Sequence, residues 1–252
     1  MEGVRGRASH VPAPRLTATK TVITVITVMT TMMMTATLTP MSWVWIIGGA
    51  VTGGLAGTGM WLWLRTGAYR RPGDVPRASA SGRWIVIPLA AVGGTAAAFA
   101  PLPLVVAAWV YLVVGTAILW IEVDVHRISH VVTRFWAPAV VVAVLGAALL
   151  TGRWEMLFQG SAWAVVLGGL FLLLARTGSS GAGLVVPAAV TGLVVGPLGV
   201  LGVFLALLVG FLLPGLAGLV LMVARRGSLA TGLPFTPGLL AGTAVALALG
   251  TM

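Results

Sequence analysis

Cysteine is absent from the chain. That excludes disulfides, a cysteine-ligated zinc site and a thiol nucleophile. Charge is scarce: 8% of the 252 residues are charged, against about 25% in ordinary soluble domains. Acids are scarcest, five Asp and Glu against fifteen Lys and Arg. No internal repeat is evident. No polar stretch is long enough to stand alone as a soluble domain. The loop 65–83, with Pro72, Gly73, Pro76 and Gly82, is too short and polar to bury a core.

What is present is apolar. Hydrophobic residues make up 59% of the chain, and after Met41 they gather into long uncharged stretches. A bilayer core needs about 20 apolar residues per helical crossing. Strands of a membrane barrel would instead alternate in polarity over about 10 residues, and these stretches do not alternate. The expected fold is all-α, a polytopic integral membrane helical bundle. Spans are predicted at 42–64, 84–100, 104–121, 135–151, 161–175, 184–197, 199–224 and 236–251, about eight crossings. The sixth and seventh share one uncharged run, broken by the turn Gly196-Pro197-Leu198-Gly199. Pro101-Leu102-Pro103 separates the second and third.

The net charge of +10 does not point to nucleic acid, because the arginines sit in loops between spans. Arg65, Arg70, Arg71, Arg77 and Arg83 face a single acid, Asp74, in the first loop. Arg127 and Arg134, then Arg176, then Arg225 and Arg226 mark alternate loops. Such loops are expected to be cytoplasmic, in a multi-pass protein of the cell membrane with the lipid bilayer as its first partner. Trp61, Trp63, Trp84, Trp120 and Trp136 lie beside the same loops, where interfacial indoles belong.

The first forty residues fit this scheme less simply. Arg5, Arg7, Arg15 and Lys20 form a basic tail, and residues 21–40 hold eight threonines. That stretch could be a weak extra span, a cleaved signal peptide, or sequence preceding a true start at Met41. The preferred reading divides the chain into 1–40, a low-complexity, disordered or non-native extension, and 41–252, the membrane domain. Met29–Met34 reads as low complexity rather than a copper site. Gly53, Gly54, Gly57 and Gly59 read as close helix packing rather than a nucleotide loop, since no strand precedes them.

Ionisable residues joined to a span end are the default candidates for function. Glu122 and Asp124 end the third span, in the run Glu122-Val123-Asp124-Val125-His126-Arg127-Ile128-Ser129-His130. Gly181-Ala182-Gly183-Leu184 opens the sixth. The arginine pattern puts both segments at one membrane face. If 122–124 is helical, Glu122 and Asp124 point about 200° apart around the axis. The bland reading of both acids is pairing with Arg127, His126 or His130. His126 and His130 stand at i, i+4, a spacing that suits a metal. They read more simply as polar residues beside headgroups, and no metal or other cofactor is expected.

Three segments together resemble the type IV prepilin peptidase family, membrane aspartic endopeptidases with a Gly-x-Gly-Asp motif. The run 122–130 is similar to the family's first motif, with Glu122 in place of its catalytic aspartate and Ser129-His130 in place of Pro-Asn. Gly181-Ala182-Gly183-Leu184-Val185-Val186 is similar to the second, with Leu184 in place of the second aspartate and Val186 in place of a lysine. Leu233-Pro234-Phe235-Thr236-Pro237 looks like the family's entry into its last span. The resemblance implies cleavage of leader peptides from prepilin-like proteins, by two carboxylates that share one proton. It implies prepilin-like proteins, or pilus and secretion machinery, as partners. It assigns motif positions to His126, Arg127, Gly181 and Gly183.

Leu184 can neither give nor take a proton. The expectation is therefore a catalytically impaired relative, a pseudoenzyme with a binding or assembly role. An active endopeptidase working through Glu122 and Asp124 is one alternative. A small transporter or channel is another, although the span interiors lack the charges that ion coupling uses. The methyltransferase region of large family members, built on a cysteine zinc site, is expected to be missing.

Overall fold

The computed structural model describes residues 40–71, 74, 80–177, 181–223 and 234–249. The expectations for 1–39, for the Met29–Met34 cluster, for Pro72, Gly73, Pro76 and Arg77, and for Arg225, Arg226 and Leu233 lie outside these residues. The described residues are all helical or connecting, with no strand among them.

Eight helical stretches follow one another: α1 (Pro40–Arg65), α2 (Val86–Ala97), α3 (Leu102–Val125), α4 (His130–Thr151), α5 (Trp154–Arg176), α6 (Val185–Val195), α7 (Gly199–Val223) and α8 (Thr236–Leu249). A 3₁₀ turn, Ala80–Ile85, leads into α2, and another, Ala182–Leu184, leads into α6. Between α6 and α7 the chain turns through Gly196–Leu198, and Gly199 takes φ 78°. That left-handed backbone suits a residue without Cβ, so the uncharged run is divided where its glycines and proline predict.

By length and apolarity, four segments can cross a membrane: α3, α4, α5 and the continuous stretch Ala182–Val220 that holds α6 and most of α7. Four, not eight, is the number that meets the criterion among the described residues. α1 is 26 residues long, but six glycines and two threonines dilute its apolarity. The apolar helices Gly82–Ala97 and Thr236–Leu249 are shorter than the roughly 20 residues a crossing needs.

Helix pairing depends on small residues. A Cβ on Gly49 would lie 2.3 Å from the Gly94 carbonyl oxygen, and one on Gly53 2.3 Å from that of Ala90. These contacts run antiparallel along α1 and α2. Gly192 meets the Trp163 carbonyl between α5 and α6, and Gly242 meets that of Ala206 between α7 and α8. Backbones this close are the packing expected where lipid removes most of the hydrophobic drive between helices. Gly53 and Gly57 of α1 are helix-packing residues, as their sequence context predicts, whereas Gly54 makes only an ordinary contact with Ala91 and Gly59 meets open space.

α3 holds the centre. Its apolar stretch is 67% buried, against 17% in α5. It is not a uniform α-helix: Val110–Val114 forms a π segment. There the Tyr111 hydroxyl bonds to Thr191 of α6 at 2.6 Å, and Trp136 Nε1 of α4 donates to the Tyr111 carbonyl at 3.3 Å. The interior of the bundle thus joins α3, α4 and α6 through buried polar contacts. The outward residues Val200, Leu201, Phe204 and Leu208 of α7 are exposed and apolar, as a lipid-facing side requires.

Candidate functional site

α3 runs through Val125 before His126 ends it in a left-handed conformation, φ 52°, donating its N–H to the Glu122 carbonyl. The predicted end at 121 falls a full turn short. Glu122 and Asp124 therefore both sit in the last helical turn, two residues apart, and point to different neighbours.

Glu122 is buried, 6% exposed, and turns toward α8. One carboxylate oxygen accepts the N–H of Phe235 at 3.1 Å and the other the N–H of Thr236 at 2.9 Å. The local sequence makes this possible. A helix start leaves N–H groups without partners and favours negative charge. Pro237 has no N–H, so the donors just before it are those available. Glu122 therefore caps α8 from another helix.

Asp124 is fully buried and faces the chain that leaves α1. It accepts the Tyr69 hydroxyl at 2.6 Å, and Arg70 Nε and Nη2 at 3.0 and 2.8 Å. Burial, then the neighbouring Asp124, hold the Tyr69 hydroxyl above the usual tyrosine range, so Tyr69 stays a donor. Hydrogen bonding to Asp124 raises the Arg70 guanidinium likewise.

Arg127 makes a second bridge to the same loop. Its Nε donates to Asp74 at 3.2 Å, its Nη2 makes a short contact to the other Asp74 oxygen, and Nη2 also donates to the Tyr69 carbonyl at 3.2 Å. Asp74 accepts the Arg71 N–H at 2.7 Å as well. Arg127 and then this backbone bond lower the Asp74 carboxyl to about 2. Of the partners anticipated for the two acids, Arg127 instead bridges to Asp74. Asp124 draws Tyr69 and Arg70 from more than fifty residues away, and Glu122 takes main-chain N–H groups.

His126 and His130 do not share a helical face. The first is the cap of α3 and the second is the first residue of α4, with Arg127–Ser129 non-helical between them. Among the described residues, no group of three or more His, Cys, Asp or Glu comes together as a metal site would.

The second segment lies against the first. Gly181 is extended, and Ala182–Leu184 winds into a 3₁₀ turn closed by the Leu184 N–H to the Gly181 carbonyl at 3.0 Å. A Cβ on Gly183 would lie 3.2 Å from Ile128 Cβ, so this glycine is where the two segments touch. Leu184 is buried, 5% exposed. All three motif-like segments therefore meet at one end of the bundle: 122–130 touches Gly183 through Ile128, and Phe235-Thr236 through Glu122.

Two carboxylates that share a proton must sit side by side. Glu122 and Asp124 are directed to different partners. The residues that sequence reasoning missed are Tyr69, Arg70 and Asp74. Their only signal was a lone acid among the arginines of the first loop. Comparison of the chain with family models, with curated proteins and with solved structures finds no match in any of the three.

Proposed function

We propose that the protein is a multi-pass membrane protein of the prepilin-peptidase kind in which the catalytic pair has been replaced by structural contacts. Its role on this reading is to bind or help assemble prepilin-like proteins or their secretion machinery, without cleaving a leader. The observation that carries the reading is the convergence of the three motif-like segments, with Glu122 committed to capping α8 and Leu184 at the position of the second acid. The same reading takes all eight helical stretches as crossings, the shorter ones tilted little and flanked by anchoring arginines and indoles. The basic loops are then cytoplasmic.

Two experiments test this. Because the chain has no cysteine, single cysteines at Arg77, His130 and Gly227 report sidedness cleanly by membrane-impermeant labelling. All three should be cytoplasmic, and one labelled from outside would overturn the span count. For the site, the double change Glu122→Asp and Leu184→Asp restores two aspartates at the motif positions. Recovery of leader cleavage would support an inherited site. Cleavage by the unaltered protein would refute the loss of chemistry.

A further inference from the structure

A buried charge normally has a partner of opposite sign, because its desolvation costs several kcal/mol. At this end of the bundle the described acids are engaged: Asp124 with Tyr69 and Arg70, Asp74 with Arg127, Glu122 with the start of α8. Arg83 is different. It is 9% exposed and bonds through Nη1 to the carbonyls of Leu64 and Arg65, each at 3.3 Å. Those are the last carbonyls of α1, where a cation is favoured by the helix dipole. They take up one nitrogen and neutralise no charge. Arg83 Nε is buried and has no partner.

A second donor is in the same condition nearby. Trp120, 6% exposed, packs in one cluster with Leu64, Tyr69, Val86 and Ile121, and its Nε1 also has no partner. Leu64 connects the two, packing in the Trp120 cluster while its carbonyl holds Arg83. Gly82, the neighbour of Arg83, packs against the benzo edge of the same indole, a Cβ there lying 3.1 Å from Trp120 Cη2. A larger residue at 82 would require the turn or the indole to give by a few tenths of an ångström. An orphaned buried donor is unfavourable, and here two border one cluster.

We propose that Arg83 and Trp120 form a binding site for a phosphate oxyanion, as carried by an anionic phospholipid headgroup or by free phosphate. An oxyanion accepts from several donors at once and supplies the charge that a water molecule cannot. Arginine suits it, since a guanidinium matches phosphate geometry. Trp84, the next residue, is 55% exposed, as an indole at headgroup level is. This favours the lipid as the source.

The test uses the full chain, purified and delipidated in neutral detergent. Short-chain phosphatidylglycerol, short-chain phosphatidylcholine and inorganic phosphate are added separately, and the shift in thermal midpoint is titrated for each variant against its own ligand-free value. W120F keeps the ring and its packing but removes the donor. It should weaken phosphatidylglycerol binding about tenfold, the loss of roughly one hydrogen bond to a charged group. R83Q should weaken it more. R71Q removes the same charge from an exposed position and should leave binding unchanged. Sensitivity to phosphatidylglycerol but not to inorganic phosphate assigns the site to lipid, and sensitivity to both assigns it to the oxyanion itself. If W120F binds phosphatidylglycerol and phosphate as the native protein does, or if neither ligand shifts the native midpoint, the proposal fails. W120F settles the matter even where R83Q does not fold, because it leaves every charge in place.

Discussion

The last turn of α3 meets two parts of the molecule, and it meets them differently. Toward α8 it offers one carboxylate to two main-chain N–H groups, a contact between a charge and a helix start. Toward the loop after α1 it offers the Asp124 carboxylate to Arg70 and Tyr69, and Arg127, just past the helix cap, offers a guanidinium to Asp74. The first contact fixes where a helix begins. The second fixes a loop that has no core of its own. Glu122 and Asp124 are chemically alike and two residues apart, yet a rotation of about 200° around the helix gives them separate tasks. Neither is left beside the other to share a proton.

This comparison can be broken by mutation, and the largest effect should come from the loop side. Asp124→Ala leaves Tyr69 and Arg70 facing a buried gap and should cost about 3 kcal/mol or more of stability in detergent unfolding, the usual loss when one partner of a buried pair is removed. On the α8 side, Glu122→Ala orphans two N–H groups and should cost about 1–3 kcal/mol. Glu122→Gln keeps one acceptor and should cost about 1 kcal/mol. A larger loss from Glu122→Ala than from Asp124→Ala would reverse the assignment of roles.

The smallest effect is the pH dependence of the outer bridge. Asp74 titrates at about 2 in the folded protein, below its ordinary 3.8. The unfolded chain therefore binds more protons between these values, and stability rises with pH across them. The contribution is complete above about pH 4 and fades as pH falls through about 2. In Asp74→Asn this slope should disappear, and a slope unchanged by that substitution would mean that Arg127 holds the loop by its bond to the Tyr69 carbonyl alone.

Much of this fold was legible in the sequence. Uncharged runs located the helical stretches, because apolar residues in long unbroken runs have few other ways to satisfy their backbone in lipid. Helix ends were less legible. α4 starts at His130 and α5 at Trp154, five and seven residues before the stretches at 135–151 and 161–175. Arg134 and Glu155 look like loop residues, but both lie within helices, and Glu155 sits in a first turn, where an acid is favoured. The arginine pattern put the first and second segments at one face, and the structure brings them into contact through Ile128 and Gly183. The partners of Asp124 did not, because Tyr69 and Arg70 lie more than fifty residues upstream and no local spacing points to them. The cap on α8 was hidden for the same reason, although Pro237 marked a helix start whose two preceding N–H groups needed an acceptor.

The proposed function has Glu122 holding the fold together and performing no hydrolysis. Its most direct test is incubation of the purified native protein in detergent with a prepilin-type substrate, beside the Glu122→Gln variant, with the leader followed by mass spectrometry. The account predicts an intact leader with both proteins, and a lower unfolding midpoint for the variant alone. Robust cleavage by the native protein that disappears in Glu122→Gln would contradict it.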